Sequence, residues 1–185
     1  VAVKVLPYAE TTDANFLERF RREARAVAAL RHPNILTIFD YGEDQDVAYI
    51  VMEYVPGGSL EKRLAGEPLD YVEAIETLLP VCEALAYAHS QGIIHRDVKP
   101  VNILLPRPSW PLLADFGLAK VIGAKRQITQ PGSIMGTAVY LSPEQVSGKE
   151  VDHRTDIYSV GIVLYQLVTG KIPFERASAA ESMLA

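Results

Sequence analysis

Between the apolar pair Ile93-Ile94 and the run Ile103-Leu104-Leu105, the chain places His95, Arg96, Asp97, Lys99 and Asn102 around Val98, Pro100 and Val101. An imidazole, a guanidinium, a carboxylate, an ammonium and an amide thus fall within eight residues. Pro100 fixes one backbone dihedral and withholds a donor, so these groups sit on a turn, not inside a helix or a central strand. Asp97 can take a proton from a hydroxyl, and Lys99 can lie against a phosphoryl oxygen. Asn102 offers a carbonyl oxygen to a hard cation, which completes the parts needed for metal-assisted phosphoryl transfer. A charged surface loop that merely follows a helix would need no such combination.

Thirteen positions after Asn102, Asp115-Phe116-Gly117 follows the apolar Leu112-Leu113-Ala114. Alone, that tripeptide says little. At the end of an apolar strand just past the polar loop it carries more weight. On these two segments the chain resembles the eukaryotic-type Ser/Thr protein kinases, most of all their bacterial members. The resemblance implies an α+β, two-lobe kinase fold, with a small antiparallel-sheet lobe and a mainly helical large lobe. It implies ATP and Mg²⁺ as cofactors, with Mn²⁺ as the alternative ion. By the same resemblance Asp97 is the base, Lys99 neutralises the transferring phosphoryl, and Asn102 and Asp115 hold metal. His95, Phe116 and Gly117 are then structural supports.

Other elements must bring a nucleotide to that loop. Residues 1–6 read as a strand in which Lys4 is the one cation, expected to be partly buried. Residues 13–31 read as a helix, with Asn15 and Glu18 forming a capping-box-like start and His32-Pro33 ending it. Phe16, Phe20, Val27 and Leu30 form its apolar stripe, and Glu23 falls in that stripe at the same spacing. A carboxylate on a buried face needs a partner, and Lys4 is the obvious one. The resemblance implies the same pair, orienting the ammonium on the α- and β-phosphates of ATP.

Residues 35–39 and 47–52 read as an antiparallel strand pair joined by a turn at 42–46. The segment 53–58, with Pro56-Gly57-Gly58, resembles the kinase hinge, which divides the chain into a small-lobe part at 1–52 and a large-lobe part at 59–185. Met52 would then gate the pocket behind adenine, and Glu53 and Val55 would offer backbone groups to the adenine edge. Ala2, Ser59 and Leu104 complete the expected nucleotide contacts.

Residues 71–90 read as a long helix with core-facing positions 75, 78, 79, 82, 85 and 86, capped by Gly92. Pro80 removes one helical amide and predicts a kink. The single cysteine, Cys82, excludes an internal disulfide framework and fits a small core residue. Residues 118–135 are rich in Lys, Gln, Ser, Thr, Gly and Pro and read as a mobile surface loop. Residues 136–144 resemble the segment that closes the kinase activation loop. There Thr137 matches the residue that contacts the catalytic aspartate and lysine, Glu144 closes the substrate loop, and Ser or Thr acceptors are implied. Arg96 is expected to receive a phosphorylated loop residue, Thr129 or Ser133. Residues 156–170 read as a nearly all-round apolar helix that must be buried. By resemblance, Asp156 at its start hydrogen-bonds the catalytic-loop backbone.

The 185 residues are 49% hydrophobic and 22% charged, an ordinary globular composition. The net charge of -5 argues against nucleic acid or an anionic membrane as the main partner, and no apolar run approaches a membrane span. The implied partners are proteins bearing Ser or Thr, with self-association for autophosphorylation, and the implied location is cytoplasmic, with any membrane anchor outside these residues. The chain starts at Val1 within a strand and stops soon after Pro173-Phe174. It is therefore expected to be a part of a kinase domain without the Gly-rich strands and last helices, and by itself inactive. Two other functions compete: a catalytically dead kinase-like scaffold, and a small-molecule phosphotransferase of related fold. The five residues Lys4, Glu23, Asp97, Asn102 and Asp115 argue against the first. The apparent peptide-docking segment at 136–144 argues against the second.

Overall fold

The computed structural model describes residues 1–6, 14–44, 47–65, 67–108, 110–116 and 139–174, with side chains from residue 17 onward in the first helix. The elements are β1 (Ala2–Val5), α1 (Ala14–Ala28), β2 (Ile38–Asp44), β3 (Val47–Met52), α2 (Leu60–Leu64) and α3 (Tyr71–Ser90). A 3₁₀ turn (Pro100–Asn102), β4 (Ile103–Arg107), β5 (Trp110–Leu113), α4 (Pro143–Val146) and α5 (Arg154–Thr169) follow. This is the α+β kinase architecture expected from the motifs. Among the described residues no helix is long and apolar enough to cross a membrane.

β1, β3 and β2 form an antiparallel sheet in that order, with Ala2 opposite Met52 and Lys4 opposite Ile50. Period-two alternation turns Val3 and Val5 outward and leaves Lys4 half-buried on the other face. Helix α1 covers the sheet, and Phe20 and Ala24 bury against Leu6, Ala48 and Ile50. The strand expected at 35–39 is displaced: β2 starts at Ile38, while Leu36 donates its amide to the Leu113 carbonyl at 2.9 Å, and Glu53 to that of Thr37 at 3.0 Å. Gly42 lies in the ladder and not in the turn. A Cβ there would come within 2.8 Å of the Tyr49 hydroxyl, so any larger residue would make the end of that side chain shift.

A larger core joins α2, α3, α5 and the β4-β5 hairpin through Leu60, Leu78, Val81, Leu85, Ile103, Leu113, Ile162, Val163 and Leu167. Helix α3 begins at Asp70, whose carboxylate accepts from the Val72 amide, and it runs through Pro80 without a break in assignment. Its buried face is Ala74, Thr77, Leu78, Val81, Ala84, Leu85 and Ala88, which corrects the expected phase. Ile75, Leu79 and Cys82 are exposed. The packed face thus mixes Leu78, Val81 and Leu85 with the small Ala74, Ala84 and Ala88, which let the neighbouring elements come close. The Cys82 thiol is pushed up by partial burial and by Glu83, which disfavours the reactive thiolate. Helix α5 is likewise buried on one side only, with Ile157 60% and Tyr165 47% exposed.

Candidate active site

The catalytic-type loop hangs between α3 and β4 and is fixed from below. Val98 is fully buried in the larger core, so the chain is anchored midway between Asp97 and Lys99. Above that anchor the Lys99 ammonium lies 2.9 Å from the Asp97 carboxylate. The Asn102 amide nitrogen donates to the Asp97 carboxylate at 3.0 Å and to its main-chain carbonyl at 2.8 Å. The 3₁₀ turn holds Asn102 by its own amide, which donates to the Lys99 carbonyl at 2.9 Å. Three residues singled out from the sequence therefore meet at one carboxylate. With its amide nitrogen engaged by Asp97, Asn102 keeps its amide oxygen for another partner.

The backbone of that loop is under strain and is held in several places. Arg96 has φ 68°, a left-handed conformation that costs a non-glycine residue about 1–3 kcal/mol. Asp156, fully buried at the start of α5, accepts the Arg96 amide at 2.7 Å and the His95 amide at 2.9 Å. His89 from α3 reaches the same carboxylate through Nε2 at 2.7 Å. His95 accepts the Asp97 amide on Nδ1 at 3.2 Å, so its Nε2 carries the proton and donates to the Ala114 carbonyl at 2.9 Å. Burial pushes the His95 imidazole below its ordinary value, although the carboxylates of Asp156, Asp97 and Asp115 pull the other way. Neutral His95 packs against Phe116 with the ring centroids 4.5 Å apart and the planes tilted by 54°, and the Ala114 amide donates to the Asn102 carbonyl at 2.9 Å. Asp115, also at positive φ (64°), is delivered next to the loop in this way.

On the sheet side the expected ion pair is not made. The Lys4 ammonium lies 2.8 Å from the Asp115 carboxylate, and among the described residues the cation paired with Glu23 is Arg22, at 4.0 Å. Glu23 does face inward, with its side chain 20% exposed, so the helix phase was legible while the pairing was not. Between the two parts, Met52, Val55 and Leu104 pack on Leu36, Leu112 and Ala114. Behind Met52, a small cavity of roughly 20 Å³ is bounded by Val27, Ile38, Asp115 and Phe116. Ser59 bridges Leu104, and Gly57 lies against β4 so closely that a Cβ would fall 1.8 Å from the Leu105 carbonyl oxygen. Burial, and after it the charge of Glu144, half-buried in α4, push the Tyr158 phenol up. Gly117, Thr129, Ser133, Thr137 and the Asn15-Glu18 cap lie outside the described residues or side chains.

Asn102 and Asp115 are the hard oxygen donors the site can offer a cation. A carboxylate and an amide oxygen suit Mg²⁺, which usually takes one or two protein ligands and completes its shell with phosphate and water. Two contacts escaped sequence reasoning: His89 on Asp156, and Gln145 on the Arg96 carbonyl at 2.8 Å. The Ser142-x-x-Gln145 spacing signals a local capping box and nothing beyond it.

A sheet with one covering helix, a helical body, and a carboxylate-lysine-asparagine loop between them together make up the arrangement of a protein kinase domain. Residues 1–184 match the protein kinase domain family, and the chain belongs to it. The chain is 46% identical over 179 residues to the serine/threonine-protein kinase PknB of Mycobacterium leprae, covering 94% of this chain and 29% of that protein. Over all 185 residues it is 43% identical to the serine/threonine-protein kinase PrkC of Bacillus subtilis, covering 28% of it. The chain thus spans under a third of those relatives. The crystal structure of the Mycobacterium tuberculosis PknI kinase domain superposes with a TM-score of 0.75 at 35% identity, over 95% of this chain and 64% of that one.

Proposed function

We propose that this chain supplies the catalytic loop and nucleotide hinge of a protein kinase that transfers the γ-phosphoryl of ATP to Ser or Thr hydroxyls of proteins. The observation that carries the reading is the meeting of Lys99 and Asn102 on Asp97, whose backbone is held by His95 and whose loop is held by Asp156. Asp97 orients the acceptor hydroxyl and takes its proton. Lys99 neutralises charge on the transferring group, while Asn102 and Asp115 hold the Mg²⁺ that screens the phosphates. Lys4 orients the nucleotide, with Glu23 as its partner when α1 closes, and Met52, Glu53, Val55, Ala2, Ser59 and Leu104 line the adenine side. The division at residues 53–58 and a cytoplasmic, ATP-rich location belong to the same reading. The test is transfer from labelled ATP to a generic Ser/Thr protein by the full gene product. Label on substrate with Mg²⁺, and none with Asp97→Asn, supports the reading; no transfer by the folded wild type overturns it.

One observation favours a second reading, a kinase-like module that binds without catalysing. Lys4 is taken up by Asp115, so the nucleotide-orienting pair and one metal ligand neutralise each other. Both side chains are about a third exposed, at 35% and 28%, so the pair is weak and exchanges readily with ATP and metal. ATP binding without transfer would identify the scaffold. A regulatory element belongs to the active reading: Arg96 Nε is buried with no partner among the described residues, which suits a phosphate arriving on Thr129 or Ser133. Mass spectrometry after incubation with ATP should find phosphate between residues 118 and 135, and its absence there would remove this part.

A further inference from the structure

The Arg96 peptide is gripped on its carbonyl side as well as its amide side. Gln145 projects from the first turn of α4 and donates through Nε2 to the Arg96 carbonyl at 2.8 Å. The direction of its amide is fixed by its other contacts. Its Oε1 accepts from the Ser142 amide at 3.0 Å and from the Thr155 hydroxyl at 2.9 Å. The Ser142 amide can only donate, so oxygen must face it and nitrogen must face Arg96. Ser142 and Thr155 are fully buried and bonded to each other, so the side chain of Gln145 has little freedom.

That carbonyl belongs to the peptide unit whose nitrogen is the Asp97 amide, and its other end is the strained φ of Arg96. We propose that Gln145 is a positioning residue that couples the chain segment leading into α4 to the orientation of Asp97. The inference rests on the kinase reading above. Asp156 fixes the amide side of residue 96, and His95 holds the N–H end of the Arg96-Asp97 peptide through a long bond of 3.2 Å to the Asp97 amide. Gln145 holds the carbonyl end of the same plane, and it does so from the segment that includes Tyr140 and Ser142, itself tied to α5 by the Ser159 hydroxyl donating to the Tyr140 carbonyl at 2.8 Å. A displacement of this segment therefore tilts the base.

The experiment uses the full gene product, with rates divided by the stoichiometry of bound ATP so that unfolded protein does not count. Gln145→Leu removes the donor, and Gln145→Glu keeps the acceptor toward Ser142 and Thr155 while opposing the Arg96 carbonyl with an anion. Both should lower kcat about tenfold with the KM for ATP changed less than twofold. The Glu variant should recover relative to wild type as the pH falls, because a protonated carboxyl can donate where the amide did. A kcat within twofold of wild type in either folded variant, or a Glu-to-wild-type ratio that is flat with pH, overturns the proposal. So does failure of both variants to fold, which would make the contact purely structural. If wild type itself transfers no phosphate, it is the kinase reading that fails.

Discussion

The two sides of the site are built on different footings. On the helical side, Asp97 is surrounded by contacts made within one core: Val98 beneath it, Asp156 and His89 behind it, and Asn102 and Lys99 around it. On the sheet side, Lys4 and Glu23 sit on separate elements and each has found another neighbour. The contrast follows from burial. Asp156 is completely enclosed and saturated with donors, so moving it would leave buried polar groups unpaired. Lys4 and Asp115 are in partial contact with water, and water compensates when they part. A half held by buried hydrogen bonds thus faces a half whose charges are held only by partly exposed pairs.

The contrast can be broken most severely at the base. Asp97→Asn should lower the transfer rate about 10²- to 10⁴-fold, roughly 3–5 kcal/mol, with the fold intact by circular dichroism. Near-normal turnover would mean that the well-held half is only scaffolding. Next comes the buried carboxylate. Asp156→Ala would leave the His95 and Arg96 amides and His89 without their acceptor, and a stability loss of about 3 kcal/mol or more should appear in the urea midpoint. A change below about 1 kcal/mol would show that this side is no more rigid than the other.

A smaller effect sharpens the sheet side. Glu23→Gln should leave stability within about 0.5 kcal/mol, because Glu23 makes no strong pair in this arrangement. If α1 closes on nucleotide, the same change should cost about tenfold in rate, roughly 1.4 kcal/mol. Unchanged rate would mean that Asp115 remains the partner of Lys4 throughout turnover.

The smallest expected effect is a pH slope. His95 is held neutral in the fold with its proton affinity depressed by burial, whereas the unfolded chain protonates it near 6.5. Below that pH the unfolded state therefore binds the extra proton, and stability falls as pH falls, by at most about 1.4 kcal/mol per pH unit. Urea titrations from pH 7 to 5 should show this slope, and His95→Phe should lack its share of it. An identical slope in the variant would place the titration elsewhere.

The catalytic loop was legible because eight consecutive residues carry its chemistry and one buried valine sets which way they face. Asp156 was legible only through family resemblance, since nothing in the local pattern points it at residues sixty positions earlier. The Lys4 partner was misread for a related reason. Helix phase turns Glu23 inward, but how far α1 stands from β1 is decided by packing on Phe20 and by the competing carboxylate of Asp115. The face of α3 was half legible: Leu78 and Leu85 face the core as expected, but the stripe continues through Ala74, Thr77, Val81, Ala84 and Ala88 and not through Ile75, Leu79, Cys82 and Ala86, because a helix apolar on several sides leaves its phase open. Gln145 hid behind a local role as a capping residue, which gave no hint that its amide nitrogen was turned toward another loop.

Gly57 has a mechanical meaning beyond its missing side chain. Its backbone is pressed against the Leu105 carbonyl, and Gly58 accepts the Leu105 amide at 2.9 Å, so this end of the connection is riveted to β4. The sheet is strapped to the frame at a second place, where the Leu36 amide donates to the Leu113 carbonyl and the Leu113 amide to that of Asn34. The two straps are themselves buckled together by the Glu53 amide on the Thr37 carbonyl, so a tilt of the sheet against β4 and β5 has to turn about the line through both and cannot pivot on one connection alone.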